Sequence, residues 1–173
     1  MIILCDTRQQ DQKHKAKEKW FVEHGIELRR TKLYVGDYCL PADQSVCVDT
    51  KRDIQELCGN ICGKSHQRFR SELQRAQEAG IHLVILVEND PEIVCDRGGI
   101  FVKNDTITRL EDLHKWTNPR LWISRHGKRL YPNATRGITL EKCCHTIEAK
   151  YGCEFQFCAS KDAGQRIVNL LTK

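Results

Sequence analysis

The chain has 173 residues and a formal net charge of +5. A chain of this length can build one substantial hydrophobic core, which is the size of an ordinary single domain. No segment approaches the roughly 18 consecutive apolar residues that a membrane-spanning helix needs. The short apolar start, Met1 to Cys5, lacks a basic leader and a cleavage site. We therefore expect a single domain over residues 1–173, in a soluble, cytoplasmic protein with no membrane partner.

The chain contains ten cysteines, at positions 5, 39, 47, 58, 62, 95, 143, 144, 153 and 158. Because the chain is long and shows no secretion signal, a disulfide scaffold is not expected. Most of the cysteines occupy positions where a small apolar residue would fit, so reduced and buried thiols are predicted. Cys58, Cys62 and His66 recur at a spacing that leaves structural zinc as an alternative, although Gly63 to Ser65 should break the helix that would align them.

The first part of the chain predicts a strand, a helix and a second strand. Residues 1–6 predict a buried strand, and residues 11–24 predict a helix that Gly25 ends. The residues expected to face inward from this helix are Ala16, Trp20 and Phe21. Residues 27–33 predict the next strand.

Residues 39–48 predict a hairpin, because turn formers around Asp43 are flanked by alternating apolar residues. If the hairpin is symmetric about Asp43, paired residues have numbers that add to 86. Asp37 then stands opposite Asp49 on one face of the sheet, and Lys51 joins that face two residues further along.

Two opposed carboxylates repel each other unless a cation relieves them, and hard oxygen ligands suit Mg²⁺ or Mn²⁺. Asp37 and Asp49 are therefore the predicted metal ligands, with the main-chain carbonyl of Thr50 as a third. Lys51 would orient or help to deprotonate an attacking water, or stabilise charge in the transition state of phosphodiester hydrolysis. An isolated Asp-x-Lys is also common on exposed strands, so the pairing across the hairpin is what makes the prediction specific.

Two helices and a central strand follow. Apolar residues recur at helical spacing over residues 54–61 and again over 69–76, in a helix that Ser65 is expected to cap and Gly80 to end. Residues 82–88 are almost continuously apolar. This pattern predicts a central strand that is covered on both faces.

Residues 90–136 predict a basic insertion with little regular structure. Residues 90–105 show the weakest pattern of the chain, 106–116 predict a short helix, and 121–131 predict a small hairpin that turns at His126 and Gly127. Beyond the insertion, the stripe from Leu140 to Tyr151 predicts a helix ended by Gly152. A strand over 153–157 and a last helix, capped by Ser160, complete the prediction.

The insertion carries positive charge next to aromatic rings. No acidic residue stands between Asp112 and Glu141. The interval holds Lys115, Arg120, Arg125, Lys128, Arg129 and Arg136, interleaved with Trp116, Trp122 and Tyr131. This combination is typical of a surface that neutralises phosphates and stacks on bases. A solvated loop with a few aromatic rings packed into the core is an equally good interpretation.

Three short motifs resemble the XPF-type nuclease domain of the restriction-endonuclease-like superfamily. They are Asp6-Thr7-Arg8 after the first strand, Gly36-Asp37-Tyr38 at the turn, and Asp49-Thr50-Lys51 on the following strand. Arg68-Phe69 with Glu72 is similar to the family's Arg-Leu followed by Gln. The resemblance covers most of the chain and is weakest over 90–135, and the chain is similar to short phage-encoded members.

The resemblance implies an α/β, restriction-endonuclease-like fold, with a mixed central sheet flanked by helices. It also implies a Mg²⁺- or Mn²⁺-dependent DNA endonuclease, acting on branched or flapped DNA in phage or mobile-element DNA metabolism, in the host cytoplasm if phage-encoded. Asp6 joins Asp37, Asp49 and Lys51 as an expected catalytic residue. A homodimer is implied as well. A catalytically inactive DNA-binding module of the same fold is the alternative.

The expected DNA-binding residues are Arg8, Arg68, Arg70, Lys115, Arg120, Arg125, Lys128 and Arg129, and Glu72 and Tyr38 are expected to support the metal ligands. Arg68 and Glu72 could equally form a surface ion pair, since they are four residues apart on a helix. Asp6 could alternatively cap the next helix. The chain departs from the eukaryotic members at Thr50, where they carry arginine, and has Gln9 and Gln55 where they carry carboxylates. These departures leave open whether one or two metal ions bind.

Overall fold

The computed structural model describes residues 1–8, 15–97 and 99–173. Its strands are β1 (Ile2–Asp6), β2 (Glu27–Thr31), β3 (Tyr38–Cys39), β4 (Val46–Lys51), β5 (His82–Glu88), β6 (Glu92–Arg97), β7 (Ile100–Asn104), β8 (Ser124–Arg125), β9 (Lys128–Arg129) and β10 (Glu154–Cys158). Six of them form one sheet in the order β10-β5-β4-β3-β1-β2. The sheet is mixed, because β5 runs parallel to β4 and β10 whereas β3 runs antiparallel to β1 and β4.

Helices cover both faces of this sheet. They are α1 (Lys15–Glu23), α2 (Ile54–Cys62), α3 (His66–Glu78), α4 (Gly137–Tyr151) and α5 (Ala163–Leu171). The core with α2, α3 and α4 takes Leu83, Ile85 and Val87 from β5, and the core with α1 and α5 takes Val84 and Leu86. The prediction of a central strand covered on both faces is therefore confirmed. None of the helices in the described ranges is long and apolar enough to cross a membrane.

The β3–β4 hairpin has the predicted register. Tyr38 pairs with Val48 and Cys39 pairs with Cys47, so that the residue numbers of each pair add to 86. The ladder stops one residue short of the predicted pair between Asp37 and Asp49. Instead, the Asp37 N–H donates to the Val48 carbonyl at 2.8 Å and the Asp37 carbonyl accepts from the Asp6 N–H at 2.9 Å. Asp37 is thereby held between the ends of β1 and β4.

The insertion is more regular than predicted at its start. β6 and β7 form a separate antiparallel pair whose register shifts between Ile93 and Cys95, where the sequence shows little periodicity. Two 3₁₀ segments, Leu110–Lys115 and Pro119–Trp122, take the place of the single short helix. The predicted basic hairpin is confirmed as β8 and β9, since His126 and Gly127 have φ values of 49° and 75° that suit a two-residue turn.

The inward face of α1 differs from the prediction. Ala16 is exposed, and its neighbour Lys17 is buried with its ammonium against the Glu88 carboxylate. Lys17 and Phe21 are four residues apart, so both point to the sheet, whereas Ala16 lies a further 100° around the helix. Residues 11–14 of the predicted helix lie outside the described ranges.

Two predicted helix caps are absent. Ser65 occupies the N-cap position of α3, but its side chain makes no capping hydrogen bond. Ser160 lies in a 3₁₀ turn, Ser160–Asp162, and α5 begins only at Ala163. In contrast, the Asp53 side chain caps α2 by accepting the Glu56 N–H at 2.6 Å.

Candidate active site

A polar cleft of about 340 Å³ opens where the carboxyl ends of β1 and β4 meet α2 and α3. Its lining residues are Asp6, Arg8, Gly36, Asp37, Asp49, Thr50, Lys51, Arg52, Glu56, Asn60, Arg68, Glu72 and Arg75. All seven charged residues that the sequence motifs singled out line this cleft, namely Asp6, Arg8, Asp37, Asp49, Lys51, Arg68 and Glu72. The fold thus assembles in one place side chains that are spread over residues 6–72 of the sequence.

The Asp37 carboxylate is anchored through one of its two oxygens. Its Oδ2 accepts the Thr50 N–H at 2.9 Å and the Thr50 hydroxyl at 2.6 Å. Within the described ranges no residue donates to Oδ1. Asp37 therefore has a fixed orientation and one oxygen available to a ligand in the cleft. Thr50, which stands where the eukaryotic members carry arginine, supplies both of these hydrogen bonds.

Asp49 and Lys51 form a buried charged pair. The Lys51 Nζ lies 2.6 Å from the Asp49 Oδ2, and both side chains are less than a tenth exposed. Among the residues that the structure describes, this ion pair is the only polar contact of the Asp49 Oδ2. A buried carboxylate oxygen can accept more than one contact, so this oxygen retains the capacity to bind a ligand in the cleft.

Lys51 has an excess of negative charge immediately around it. Burial raises the pKa of Asp49 to about 7; Lys51 opposes the rise, and the carboxylates of Asp37 and Glu72 add to it. Burial lowers the pKa of Lys51, but the carboxylates of Asp49, Asp37 and Glu72 outweigh burial and the net pKa is raised. Three carboxylates thus surround a single ammonium. Such a site favours the entry of a cation.

Asp6 is committed to Arg8 rather than open to a metal. Its Oδ1 accepts the Arg8 N–H at 2.6 Å and the Arg8 Nε–H at 2.8 Å, and its Oδ2 accepts Arg8 Nη2 at 2.6 Å and the Leu33 N–H at 3.0 Å. Burial opposes ionisation of Asp6, but these hydrogen bonds outweigh it and its pKa is lowered. The structure therefore places Asp6 as the residue that orients the Arg8 guanidinium at the rim of the cleft.

Glu72 supports the turn that carries Asp37. Its Oε1 accepts the Gly36 N–H at 3.0 Å, across the cleft from α3. The alternative, an ion pair between Arg68 and Glu72, does not form among the residues that the structure describes. Glu72 fixes the backbone at Gly36, and the Arg68 side chain remains free to face the cleft.

Sequence reasoning missed four residues of the cleft, namely Arg52, Glu56, Asn60 and Arg75. Helical spacing carries a signal for Arg75 alone, because Asn60 is one turn away from Glu56, which was itself missed. Arg75 follows Arg68 by two turns of α3, and Asn60 follows Glu56 by one turn of α2, with its Nδ2 donating to the Glu56 carbonyl at 2.7 Å.

Several of the expected site residues lie elsewhere. Tyr38 is fully buried against Phe21, with ring centroids 5.8 Å apart, so it belongs to the core rather than to the cleft. Arg70 is exposed and lines a different groove, between α3 and α4. Lys115 lies 2.6 Å from the Asp112 carboxylate. Trp116, which could have stacked on bases, is 4% exposed and packs in the core.

The basic hairpin and its surroundings lie outside the cleft and pair cations with rings. The Arg129 guanidinium lies over Trp122 at 5.4 Å from the ring centroid, and the Arg120 guanidinium lies over Tyr131 at 5.6 Å. Arg125 and Lys128 are exposed at the end of the hairpin.

The donors of the cleft fit a hard divalent cation. Asp37 Oδ1 and the buried Asp49 Oδ2 are carboxylate oxygens, which Mg²⁺ and Mn²⁺ prefer, and the carboxylates of Asp37, Asp49 and Glu72 outnumber the single ammonium of Lys51 that they surround. Two carboxylates with water and substrate oxygens are a common magnesium environment. In the described ranges, no three His, Cys, Asp or Glu side chains form a metal-binding group, and this includes Cys58, Cys62 and His66.

A mixed sheet flanked by helices, with two carboxylates and a lysine where β3 and β4 meet, defines the class of restriction-endonuclease-like nuclease folds. The chain belongs to the ERCC4 domain family, a family of DNA endonucleases, which matches residues 5–171. The family and the fold class predicted from the motifs are both confirmed.

The solved structures that are similar to the chain include XPF from Aeropyrum pernix alone and XPF from Aeropyrum pernix in complex with DNA. Each has 14% sequence identity and a TM-score of 0.59. The match covers 99% of this chain and 63% of the XPF chain, so the protein spans less than two thirds of its solved relative. At this identity the likeness establishes the fold. No curated protein matches the chain.

Proposed function

We propose that the chain is an endonuclease that hydrolyses phosphodiester bonds in DNA and depends on Mg²⁺ or Mn²⁺. The observation that carries the proposal is the buried Asp49 carboxylate, which forms an ion pair with Lys51 and shares an arginine-lined cleft with Asp37. Membership of the ERCC4 domain family supports the same reaction.

The residues of the cleft would divide the work. Asp37 and Asp49, with the main-chain carbonyl of Thr50, would hold the cation, which when bound supplies a Lewis acid for the phosphate and its attacking water. Lys51 would stabilise negative charge that develops on the phosphate, because its ammonium stays protonated at neutral pH. Arg8, oriented by Asp6, would contact a phosphate oxygen at the rim.

DNA is the proposed partner, and branched or flapped DNA the proposed substrate. The exposed basic hairpin supports DNA binding away from the cleft, because guanidiniums over aromatic rings form surfaces that suit phosphates and unpaired bases. The A. pernix relative has been solved with DNA. A homodimer, a single domain over residues 1–173 and a place in phage or mobile-element DNA metabolism are proposals that rest on the family resemblance.

A panel of end-labelled DNA structures tests the proposal. The wild-type protein and Asp49→Ala are incubated with single strands, duplex, nicked, flapped, forked and four-way DNA in Mg²⁺ or Mn²⁺. We expect cleavage of at least one structure by the wild type, its loss in Asp49→Ala, and none in EDTA. Binding without cleavage of any structure would favour the inactive DNA-binding module instead.

The basic hairpin has its own test. Replacing Arg125, Lys128 and Arg129 together with alanine should weaken DNA binding and reduce the slope of log affinity against log salt, by up to about 0.9 for each phosphate contact that is lost. An unchanged affinity would show that the hairpin does not contact DNA, and it would not affect the proposal for the cleft.

A further inference from the structure

The arginines of the cleft differ in whether they have a partner. Four arginines line it: Arg8, Arg52, Arg68 and Arg75. Arg8 and Arg52 lie next to carboxylates, at 2.6 Å and 3.3 Å. Among the residues described by the structure, neither Arg68 nor Arg75 has an ion-pair or hydrogen-bond partner for its guanidinium. Both come from α3, and they bring two uncompensated positive charges to the edge of an otherwise acidic site.

The lack of a partner is unexpected from the sequence. Glu72 follows Arg68 by four residues and precedes Arg75 by three, and both spacings allow an ion pair on a helix. Glu72 instead accepts the Gly36 N–H at 3.0 Å and stays with the Asp37 turn. The carboxylate that could have neutralised either arginine is therefore used elsewhere, and both guanidiniums are available to an anion from outside.

Their spacing matches a run of nucleotides. Residues seven apart lie on the same face of a helix, about 10 Å from each other along its axis. A DNA strand advances by about 3.4 Å per nucleotide along the duplex axis. Because the strand also winds around that axis, phosphates three nucleotides apart lie much farther from each other than about 10 Å, and two residues at this spacing reach phosphates about one or two nucleotides apart. Each guanidinium presents a planar fork that suits phosphate oxygens.

We propose that Arg68 and Arg75 form a phosphate-binding row on α3, which contacts two backbone phosphates about one or two nucleotides apart and so sets where the strand lies over Asp37, Asp49 and Lys51. The row rests on the proposed function of the cleft, and it adds Arg75 to the residues that bind substrate. Its contacts are to the backbone, so they position DNA of any sequence.

Equilibrium DNA binding in EDTA tests the row without cleavage. Arg75→Ala and Arg75→Gln should each weaken binding about tenfold or more, as expected for loss of a charge-assisted hydrogen bond, and should reduce the salt slope by about 0.9. Arg70→Ala is the matched control, because Arg70 lies on the same helix, carries the same charge and faces the groove between α3 and α4. Unchanged unfolding midpoints confirm that the variants are folded. Equal losses in Arg70→Ala and Arg75→Ala would overturn the row.

Single methylphosphonate substitutions then locate the contacts, because each removes one phosphate charge. The wild type should lose affinity at two positions about one or two nucleotides apart. Arg75→Ala should be insensitive at one of these positions, and Arg68→Ala at the other. If the wild type binds and cuts DNA but both variants remain sensitive to methylphosphonate at both positions, only the phosphate-binding row is overturned. A wild type that neither binds nor cuts overturns the proposed function as well.

Discussion

Gly36 lies at the turn that carries Asp37 into the cleft, and alanine at this position should destabilise the protein through two separable effects. Gly36 has a φ of +71°, and a Cβ atom there would lie 3.1 Å from the Val48 carbonyl oxygen, 3.2 Å from the Cys47 Cβ and 3.3 Å from the Leu83 Cδ1. The positive φ is one source of strain. The crowding against backbone and core atoms is the other.

Gly80→Ala isolates the first effect. Gly80 has a similar φ of +65°, and a Cβ there would meet no atom within 4 Å. A left-handed conformation costs an L-residue about 1–2 kcal/mol, partly offset by about 0.4–1 kcal/mol from stiffening of the unfolded chain. Gly80→Ala should therefore cost about 1 kcal/mol or less. Gly36→Ala adds about 1–3 kcal/mol of overpacking, for a total of about 1–4 kcal/mol.

Thermal unfolding measures the difference. With about 2–4 °C for each kcal/mol in a chain of this size, Gly80→Ala should lower Tm by up to about 4 °C and Gly36→Ala by about 2–16 °C, with the larger loss in Gly36→Ala. DNA cleavage should fall in Gly36→Ala alone, because displacement of the turn moves Asp37 and disturbs the Gly36 hydrogen bond to Glu72. Equal Tm losses in the two variants would refute the crowding argument.

Three further predictions concern buried charge. Lys17→Met should lower the free energy of unfolding by about 3–5 kcal/mol in urea titrations, because it leaves the Glu88 carboxylate buried without its partner. The double variant Lys17→Met with Glu88→Leu should recover most of the lost free energy. A double variant whose loss is the sum of the two single losses would contradict this. The Asp49 pKa of about 7 lies above its value of about 4 in the unfolded chain. Between pH 4 and pH 7 the folded state therefore binds more protons than the unfolded state, and the contribution of Asp49 to stability falls as the pH rises through this window. Unfolding titrations from pH 4 to 8 should show that fall in the wild type relative to Asp49→Asn, and parallel curves would contradict it. Mn²⁺ should raise the Tm of the wild type but not of Asp49→Asn, since a ligand stabilises the state that binds it; equal shifts would place the metal elsewhere.

Local signals were sufficient for the hairpin and for much of the helical structure. The turn formers around Asp43 fix the register of β3 against β4, because a slip of one residue would turn every side chain to the opposite face. The continuous apolar run of β5 was equally clear, since it has to fill two cores. These features depend on residues that are close in sequence, and their pattern is therefore visible in it.

The parts that sequence could not predict depend on long-range partners. The burial of Lys17 depends on Glu88, 71 residues away, and no local pattern indicates that a lysine will face the core. The β6–β7 pair exposes Ile93, Phe101 and Ile100, so it lacks the alternation of apolar and polar residues that marks a half-buried strand.

The candidate site shows the same division. The motifs located Asp6, Asp37, Asp49 and Lys51, and the structure brings all four to one cleft. Their separate roles depend on contacts that form only in the fold. Both Asp6 oxygens are occupied by Arg8 and Leu33, whereas Asp49 pairs with Lys51 inside the cleft. In the sequence the carboxylates of Asp6, Asp37 and Asp49 are equivalent, because each is a single negative charge in a motif. In the structure they differ in the groups that donate to them.

The rate of DNA cleavage as a function of Mn²⁺ concentration, measured for the wild type and Asp49→Asn under single-turnover conditions, tests the central claim most directly. We predict a rate that rises and saturates with Mn²⁺ in the wild type, and a rate at least about 100-fold lower at every concentration in the variant. The variant must retain a cooperative unfolding transition for the comparison to hold. Equal rates in the two proteins, or wild-type cleavage that persists in EDTA, would contradict a metal-dependent reaction at Asp37, Asp49 and Lys51.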